Sequence, residues 1–180
     1  MKKLITISIL CVCFLAFYSC KKYTTVDIPI SSLTIELDDI EVNDQESKAL
    51  TPFYVRKKIS YADLAGLSSD AIKYRDRIET IQADSVSIII TTTDGVGTVV
   101  KKFAMKVNSL PDYTIPEYYL GTAYTDDNIE SYACSLLFQI LTKESTTIHL
   151  YGITDVPSSK KLKVTITLED VTMVAQLLKW

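Results

Sequence analysis

Stretches in which every second residue is apolar constrain this chain more than any other feature of its sequence. The clearest of them are residues 33–37, 86–90 and 162–168. Side chains alternate between the two faces of a β-strand, so each stretch predicts a strand with one buried face and one face in water. The alternation changes phase at residues 38–39 and 169–170, which predicts a bulge or kink within the first and last strands.

A short polar connection separates two of the alternating stretches. It contains Asp94-Gly95, a dipeptide that favours tight turns between antiparallel strands, and it joins residues 86–90 to residues 99–107. The pattern therefore predicts that these two strands form a β-hairpin.

Helical patterns occur at two places. Residues 60–63 have the sequence of a capping box that opens a helix, which Gly66 would break into pieces. Apolar residues at steps of three and four over residues 127–141 predict a longer helix. The predicted fold is mainly β (α+β), either an antiparallel β-sandwich or a single curved sheet, with two or three covering helices.

The first residues of the chain have the composition of a secretory signal. Lys2 and Lys3 precede an apolar run over residues 4–17, and the small residue Ser19 comes directly before Cys20. A transmembrane helix, the alternative interpretation, requires about 20 apolar residues. The shorter run therefore favours a cleaved signal.

Residues 17–20, Phe-Tyr-Ser-Cys, resemble the lipobox of bacterial lipoproteins. In that family the cysteine is lipidated on its thiol, with palmitate as a typical label, and becomes the acylated first residue of the mature protein. The resemblance implies lipidation at Cys20. Because Lys21 follows in place of the aspartate that retains lipoproteins of enteric type in the inner membrane, it also implies an outer-membrane location, on the periplasmic face or the cell surface.

Three segments follow from this interpretation. Residues 1–19 are the signal peptide, residues 20–31 the lipidated cysteine and a stalk, and residues 32–180 a single β-rich domain. The stalk is predicted because residues 23–31 show little periodicity. A domain of this size buries enough apolar surface to fold without disulfides.

Charge and cysteine content narrow the possible functions further. The net charge is −3 for the whole chain and becomes −5 when Lys2 and Lys3 leave with the signal. Because the sequence has no block of basic residues, we predict that the protein does not bind nucleic acid. Of the four cysteines, Cys134 alone stays as a free thiol, so no intramolecular disulfide is predicted.

No familiar catalytic constellation accompanies the reactive side chains. His149 is the only histidine and is predicted on the wet face of a strand, while Cys134 falls in the predicted helix. One histidine and one cysteine are too few to bind zinc. We therefore predict no enzyme activity, no cofactor and no metal site.

Two acidic clusters are weak candidates for calcium because carboxylates are its preferred ligands. They are Asp38, Asp39 and Glu41, and Asp126, Asp127 and Glu130. Neither has the spacing of a calcium-binding loop, so helix capping and solvated acids explain both.

The strongest surface candidate is a group of tyrosines among prolines and a glycine: Tyr113, Tyr118, Tyr119 and Tyr124. A tyrosine ring has an apolar face and a polar tip, which suits sugars and protein partners. The competing interpretation is that these tyrosines pack on the sheet.

Three functions are compatible with these patterns. The favoured one is a lipid-anchored envelope protein whose non-catalytic domain binds or scaffolds an envelope protein or a glycan. The second is a carrier for a glycan or a small apolar ligand. The third is a hydrolase that uses carboxylates alone, such as a glycosidase.

Overall fold

A computed structural model describes residues 23–42, 51–92, 99–107, 110–143, 145–157 and 159–178. The signal segment, Cys20 and the Asp94-Gly95 turn lie outside these residues. None of the helices in the described ranges combines the length and the apolarity that a membrane crossing requires.

The described residues form eleven strands and two α-helices. The strands are β1 (Tyr23–Glu41), β2 (Thr51–Ser60), β3 (Leu64–Ala65), β4 (Ile78–Gln82), β5 (Ser85–Thr92), β6 (Val99–Val107), β7 (Tyr113–Ile115), β8 (Tyr118–Tyr119), β9 (Ala123–Tyr124), β10 (Ser145–Thr154) and β11 (Lys161–Leu178). The helices are α1 (Ser69–Tyr74) and α2 (Asp127–Thr142), and single 3₁₀ turns occupy Tyr61–Asp63 and Arg75–Arg77.

The strands belong to two antiparallel sheets. Sheet A has the order β3-β1-β11-β5-β9, with β4 also paired to β11; sheet B has the order β2-β10-β6-β7, with β8 also paired to β6. The inward side chains of both sheets share one apolar core, in which Leu33, Ile88, Phe103 and Leu150 are fully buried. The predicted class, a mainly β fold with antiparallel sheets and covering helices, is confirmed in its sandwich form.

The predicted hairpin is wrong. β5 pairs with β11 in sheet A, whereas β6 pairs with β10 in sheet B. Alternation shows that a strand has one buried face, but it does not show which strand lies beside it. Two consecutive strands that face the core from opposite sheets have the same pattern as a hairpin.

The predicted stalk is also wrong for residues 23–31, because these residues are the first half of β1. Pairing with β11 begins at Tyr23, opposite Leu178, and continues in one register to Leu37. Ile28 and Ile30 are buried. The chain at this point is therefore a folded strand. Its sequence pattern was missed because the apolar alternation is short and changes phase at residues 31–32.

Sheet A bends at a place where three chain segments lie side by side. These segments are Ser31–Ser32 in β1, Glu169–Asp170 in β11, and Ala83–Asp84 between β4 and β5. Strands β4 and β5 lie end to end along the same side of β11. Asp170 has a positive φ of 49°, and the Asp84 N–H donates to the carbonyl of Glu169 at 3.0 Å. The predicted kink at 169–170 is confirmed, as is the bulge at 38–39, where Asp39 has a φ of 57°.

Beyond the bend, sheet A continues as three strands, whose inward residues Val171, Met173 and Ala175 are still buried in the core. We call this part the three-stranded extension and define it as residues 23–30, 78–82 and 171–178. The segment from β3 to β4, which includes α1, crosses from the β1 edge to the far side of β11. Ala71 of that segment is fully buried.

Helical structure is present at both predicted places: α1 begins at Ser68, whose hydroxyl accepts the N–H of Ala71 at 3.2 Å, and α2 begins at Asp126. The Asp63 carboxylate accepts hydrogen bonds from the backbone N–H and the hydroxyl of Ser60, both at 2.7 Å, at the first 3₁₀ turn. As predicted, the helix that follows is in pieces. Helix α2 contacts β4 and β5 of sheet A and β2 and β10 of sheet B, so it lies between the two sheets.

Candidate functional site

The four tyrosines predicted as one surface are not exposed together, although the rings of Tyr118 and Tyr124 lie 6.1 Å apart. Tyr113 and Tyr118 point into the core, with only 6% and 4% of their surface exposed, and Tyr124 is half-buried. Tyr119 is 61% exposed and lies at the edge of sheet B. A shared aromatic surface is therefore wrong, because residues 113 and 118 face inward on their short strands.

Two of these tyrosines support the start of helix α2. The hydroxyls of Tyr113 and Tyr124 donate to the Asp126 carboxylate at 3.1 and 3.0 Å, and the same carboxylate accepts the backbone N–H of Ile129 at 2.6 Å. Burial acts to raise the pKa of Asp126, but the hydrogen bonds from Ile129, Tyr124 and Tyr113 outweigh it and lower that pKa. Burial, followed by the neighbouring Asp126, raises the pKa of Tyr113.

Three acids of the two acidic clusters contact groups of the protein itself. Asp126 caps α2, while Asp39 pairs with Lys161 at 3.1 Å and Asp38 with Lys163 at 3.4 Å. Within the described ranges, no group of three or more potential ligands is arranged to hold a metal ion. Asp38, Asp39 and Asp126 therefore have partners within the protein.

Cys134 and His149 do not form a nucleophile and base pair. Cys134 is buried in α2 next to the backbone of Ala83 in sheet A, and burial raises the pKa of its thiol. His149 is on the outer face of sheet B, where its Nδ1 lies 2.7 Å from the Tyr54 hydroxyl. A thiol with a raised pKa is a poor nucleophile at neutral pH.

The outer face of sheet B carries a set of cations and tyrosines that the sequence interpretation missed. We call it the basic face and define it by Tyr54, Arg56 and Lys58 of β2, Tyr151 of β10, and Lys102 and Lys106 of β6. All four cations are exposed. Because β10 lies between β2 and β6, two rows of cations flank a central strand, about 10 Å apart at the usual strand spacing.

The register places the aromatic rings between the cations. Tyr151 lies directly opposite Tyr54 on one side and the small residue Ala104 on the other. One pair of positions away, Arg56 and Lys106 lie on either side of His149.

Most of the cations on this face have no acid partner among the described residues. Lys106 pairs with Asp112 at 3.3 Å. The Tyr151 hydroxyl also donates to Asp112 at 2.8 Å and holds the pKa of that carboxyl below its ordinary value. In the part of the chain that the structure describes, no carboxylate pairs with Arg56, Lys58 or Lys102.

Sheet A presents the opposite arrangement on its outer face. Lys163 contacts Glu36 at 3.0 Å and Asp38 at 3.4 Å, and Lys161 contacts Asp39. Its lysines are thus matched by acids. The two outer faces of the sandwich therefore differ, because the lysines of sheet A have acid partners and most cations of the basic face have none among the described residues.

A groove lies between α2 and the outer edge of β4. This groove has a volume of about 700 Å³. Ile81, Leu110 and Phe138 contribute half-buried apolar surface to it, and Glu79 and Glu130 are on its rim. Its volume is within the range of small-molecule sites.

No family model and no curated protein matches this chain. Among solved structures it is similar to the decameric BFDV capsid protein, with 10% identity over 87% of this chain and 99% of that chain and a TM-score of 0.39. It is also similar to the semi-empty VLP of the giant freshwater prawn Macrobrachium rosenbergii nodavirus (8% identity, 89% and 97% coverage, TM-score 0.37) and to Desmodium yellow mottle tymovirus (14% identity, 88% and 91% coverage, TM-score 0.32). TM-scores this low do not establish a shared fold or function, so the fold assignment rests on the strand pairing itself.

Replacing Asp126 by alanine tests its role at the start of α2. We expect the free energy of unfolding to fall by about 2–3 kcal/mol, because one helix cap and two tyrosine hydrogen bonds are lost. The lowered pKa means that this contribution is present above the unfolded value near 4 and is lost as the pH falls through the folded value. Urea unfolding at neutral and acidic pH measures both effects.

Asp127→Ala is the matched control, because Asp127 is exposed on the first turn of the same helix. It should change the free energy of unfolding by less than about 0.5 kcal/mol. Equal losses in the two variants would contradict the assigned role of Asp126.

Proposed function

We propose that this protein is a lipid-anchored envelope protein of the outer membrane, and that its β-sandwich is a non-catalytic binding or scaffolding domain. The anchor is Cys20, whose resemblance to a lipobox cysteine is described above. Two or more acyl chains hold a protein on a bilayer stably, whereas one chain holds it only marginally. A diacylated or triacylated Cys20 is therefore sufficient for permanent attachment.

The start of β1 at Tyr23 is the observation that carries the proposal. Tyr23 is already paired with Leu178, and Cys20 precedes it by three positions. Three residues span at most about 10 Å. The folded protein therefore begins within 10 Å of the lipidated residue, with Lys21 and Lys22 next to the anionic headgroups.

The three-stranded extension then takes the place of the predicted stalk. From Tyr23 to Ile30, β1 covers about 24 Å at the rise of an antiparallel strand. A paired strand is much stiffer than a flexible linker of the same length. The extension therefore holds the sandwich and its basic face at a distance from the bilayer.

A binding role is favoured by the surface of the sandwich. The basic face presents exposed cations next to tyrosine rings, whereas Cys134 and His149 lie in different parts of the molecule. Charged and aromatic groups on a rigid sheet suit recognition of a partner.

The lipid anchor is tested by Cys20→Ala in cells that are fed radiolabelled palmitate. The wild-type protein should incorporate label and fractionate with membranes, because the thiol carries the acyl chains. The variant should incorporate none and stay as an uncleaved precursor. Cys13→Ala, in the apolar part of the signal, should behave as the wild type. Label in the Cys20 variant, or none in the wild type, would refute the anchor.

The groove between α2 and β4 supports a second candidate function, a carrier for a small apolar ligand. Its half-buried Ile81, Leu110 and Phe138 provide an apolar lining of suitable size. The ligand would lie against α2 and be released without chemical change.

An environment-sensitive apolar dye tests this second function. Phe138→Asp should reduce dye binding about tenfold or more, because a charge replaces apolar contact surface in the groove. Ile72→Asp is the control, since Ile72 is 41% exposed and does not line the groove. Unchanged dye binding in Phe138→Asp would remove the carrier hypothesis.

A further inference from the structure

The basic face has three properties of a surface that recognises an extended anionic polymer. It is built on the three adjacent strands β2, β10 and β6, so its side chains are held by the backbone ladder. Three of its four cations have no carboxylate partner among the described residues. Its aromatic rings lie between the cations along the strands.

Tyr54 and Tyr151 form the centre of this surface. They are cross-strand neighbours, and Tyr54 is 54% exposed. Ala104, opposite Tyr151 on the third strand, is covered, and the Tyr151 hydroxyl reaches Asp112, so Tyr54 is the more exposed of the two rings. Rings of this kind stack on the apolar faces of sugars while their hydroxyls form hydrogen bonds at the edge.

The cations are placed on both sides of this aromatic centre. Along the strands, Arg56 and Lys106 lie about 7 Å to one side of the Tyr54–Tyr151 row, and Lys102 lies at a similar distance on the other side. A polymer that crosses the rings would thus bring acidic groups to cations both before and after the stacked unit. Neutral sugars would not use these cations.

We propose that the basic face binds an acidic polysaccharide, that is, a polymer of sugars with carboxylate or sulfate groups. This inference deepens the proposed function and rests on it for the compartment, since an envelope location removes the protein from cytoplasmic nucleic acid. An anionic bilayer is disfavoured by the anchor, because the face is on the sandwich and Tyr23 is at the far end of the three-stranded extension.

Binding is measured with the full mature lipoprotein in neutral detergent on immobilised polygalacturonate, which carries carboxylates, and heparin, which carries sulfates. Dextran is the uncharged control. The wild-type protein should bind one or both acidic polymers and not dextran. Its affinity should fall as salt rises, because the contacts are exposed charges.

Matched charge-reversal variants locate the binding surface. Arg56→Glu with Lys58→Glu should weaken binding about tenfold or more, because attraction becomes repulsion at two positions. Lys73→Glu with Arg77→Glu, on the segment between β3 and β4, changes the net charge equally and should alter affinity by less than about twofold, since charges far from the ligand are screened. Lys102→Glu with Lys106→Glu is an independent pair on β6 should the first not fold.

Tyr54→Ala separates recognition of sugar from simple ion exchange. It leaves the net charge unchanged and should weaken binding about three- to tenfold through lost stacking.

The proposal is overturned by any of four results. They are no binding to either acidic polymer, equal losses in the two charge-reversed pairs, no effect of Tyr54→Ala, or tighter binding to phosphatidylglycerol vesicles or double-stranded DNA. The result does not depend on acylation. Palmitate labelling can therefore fail while polysaccharide binding persists, and polysaccharide binding can fail while palmitate labelling persists.

Discussion

The antiparallel ladder between β1 and β11 is the interaction on which the rest of the structure depends. It runs from Tyr23 opposite Leu178 to Glu41 opposite Lys161 and crosses both the extension and the sandwich. Apolar residues face each other across it, such as Leu33 with Leu168 and Ile35 with Ile166, all fully buried. Each such side chain contributes about 1.5–3 kcal/mol. Because β3, β4 and β5 pair only with these two strands and β9, sheet A assembles around the ladder.

Helix α2 provides the second constraint by filling the space between the sheets. Leu136, Leu137 and Ile140 are fully buried in it, so the helix acts as part of the core. The backbone N–H groups of its first turn require hydrogen-bond acceptors, and Asp126 supplies one for Ile129 while also accepting the hydroxyls of two tyrosines. Two tyrosines of this segment thus hold the start of the helix in place.

Local patterns in the sequence were sufficient to predict most helices and strands. They were not sufficient to predict which strands pair. The α2 helix was predicted because its signals lie within a few residues of one another, and the kink at residues 169–170 because its phase change is local. Pairing of β1 with β11 joins residues more than a hundred positions apart, and no local pattern encodes it. Hence the hairpin and the stalk were predicted wrongly, although the strands on either side of the hairpin turn were identified.

The same limit applies to the candidate sites. Tyr113 and Ile115 share one face of a short strand, which places that tyrosine in the core, but three residues are too few to show a period. Arg56 and Lys58 visibly share the wet face of β2. Lys106 and Lys102 lie on the other side of β10. This arrangement follows from the strand order of sheet B, which the sequence alone does not contain.

The central claim is that the chain is already paired in the sheet at Tyr23, three positions after Cys20, the proposed site of lipid attachment. Hydrogen–deuterium exchange of the mature protein tests it, because backbone amides paired in a ladder exchange slowly and those of a stalk do not. The structure predicts that peptides covering residues 23–30 and 171–177 are protected nearly as well as those covering residues 33–37. Exchange of residues 23–30 at the rate of an unstructured chain would contradict it.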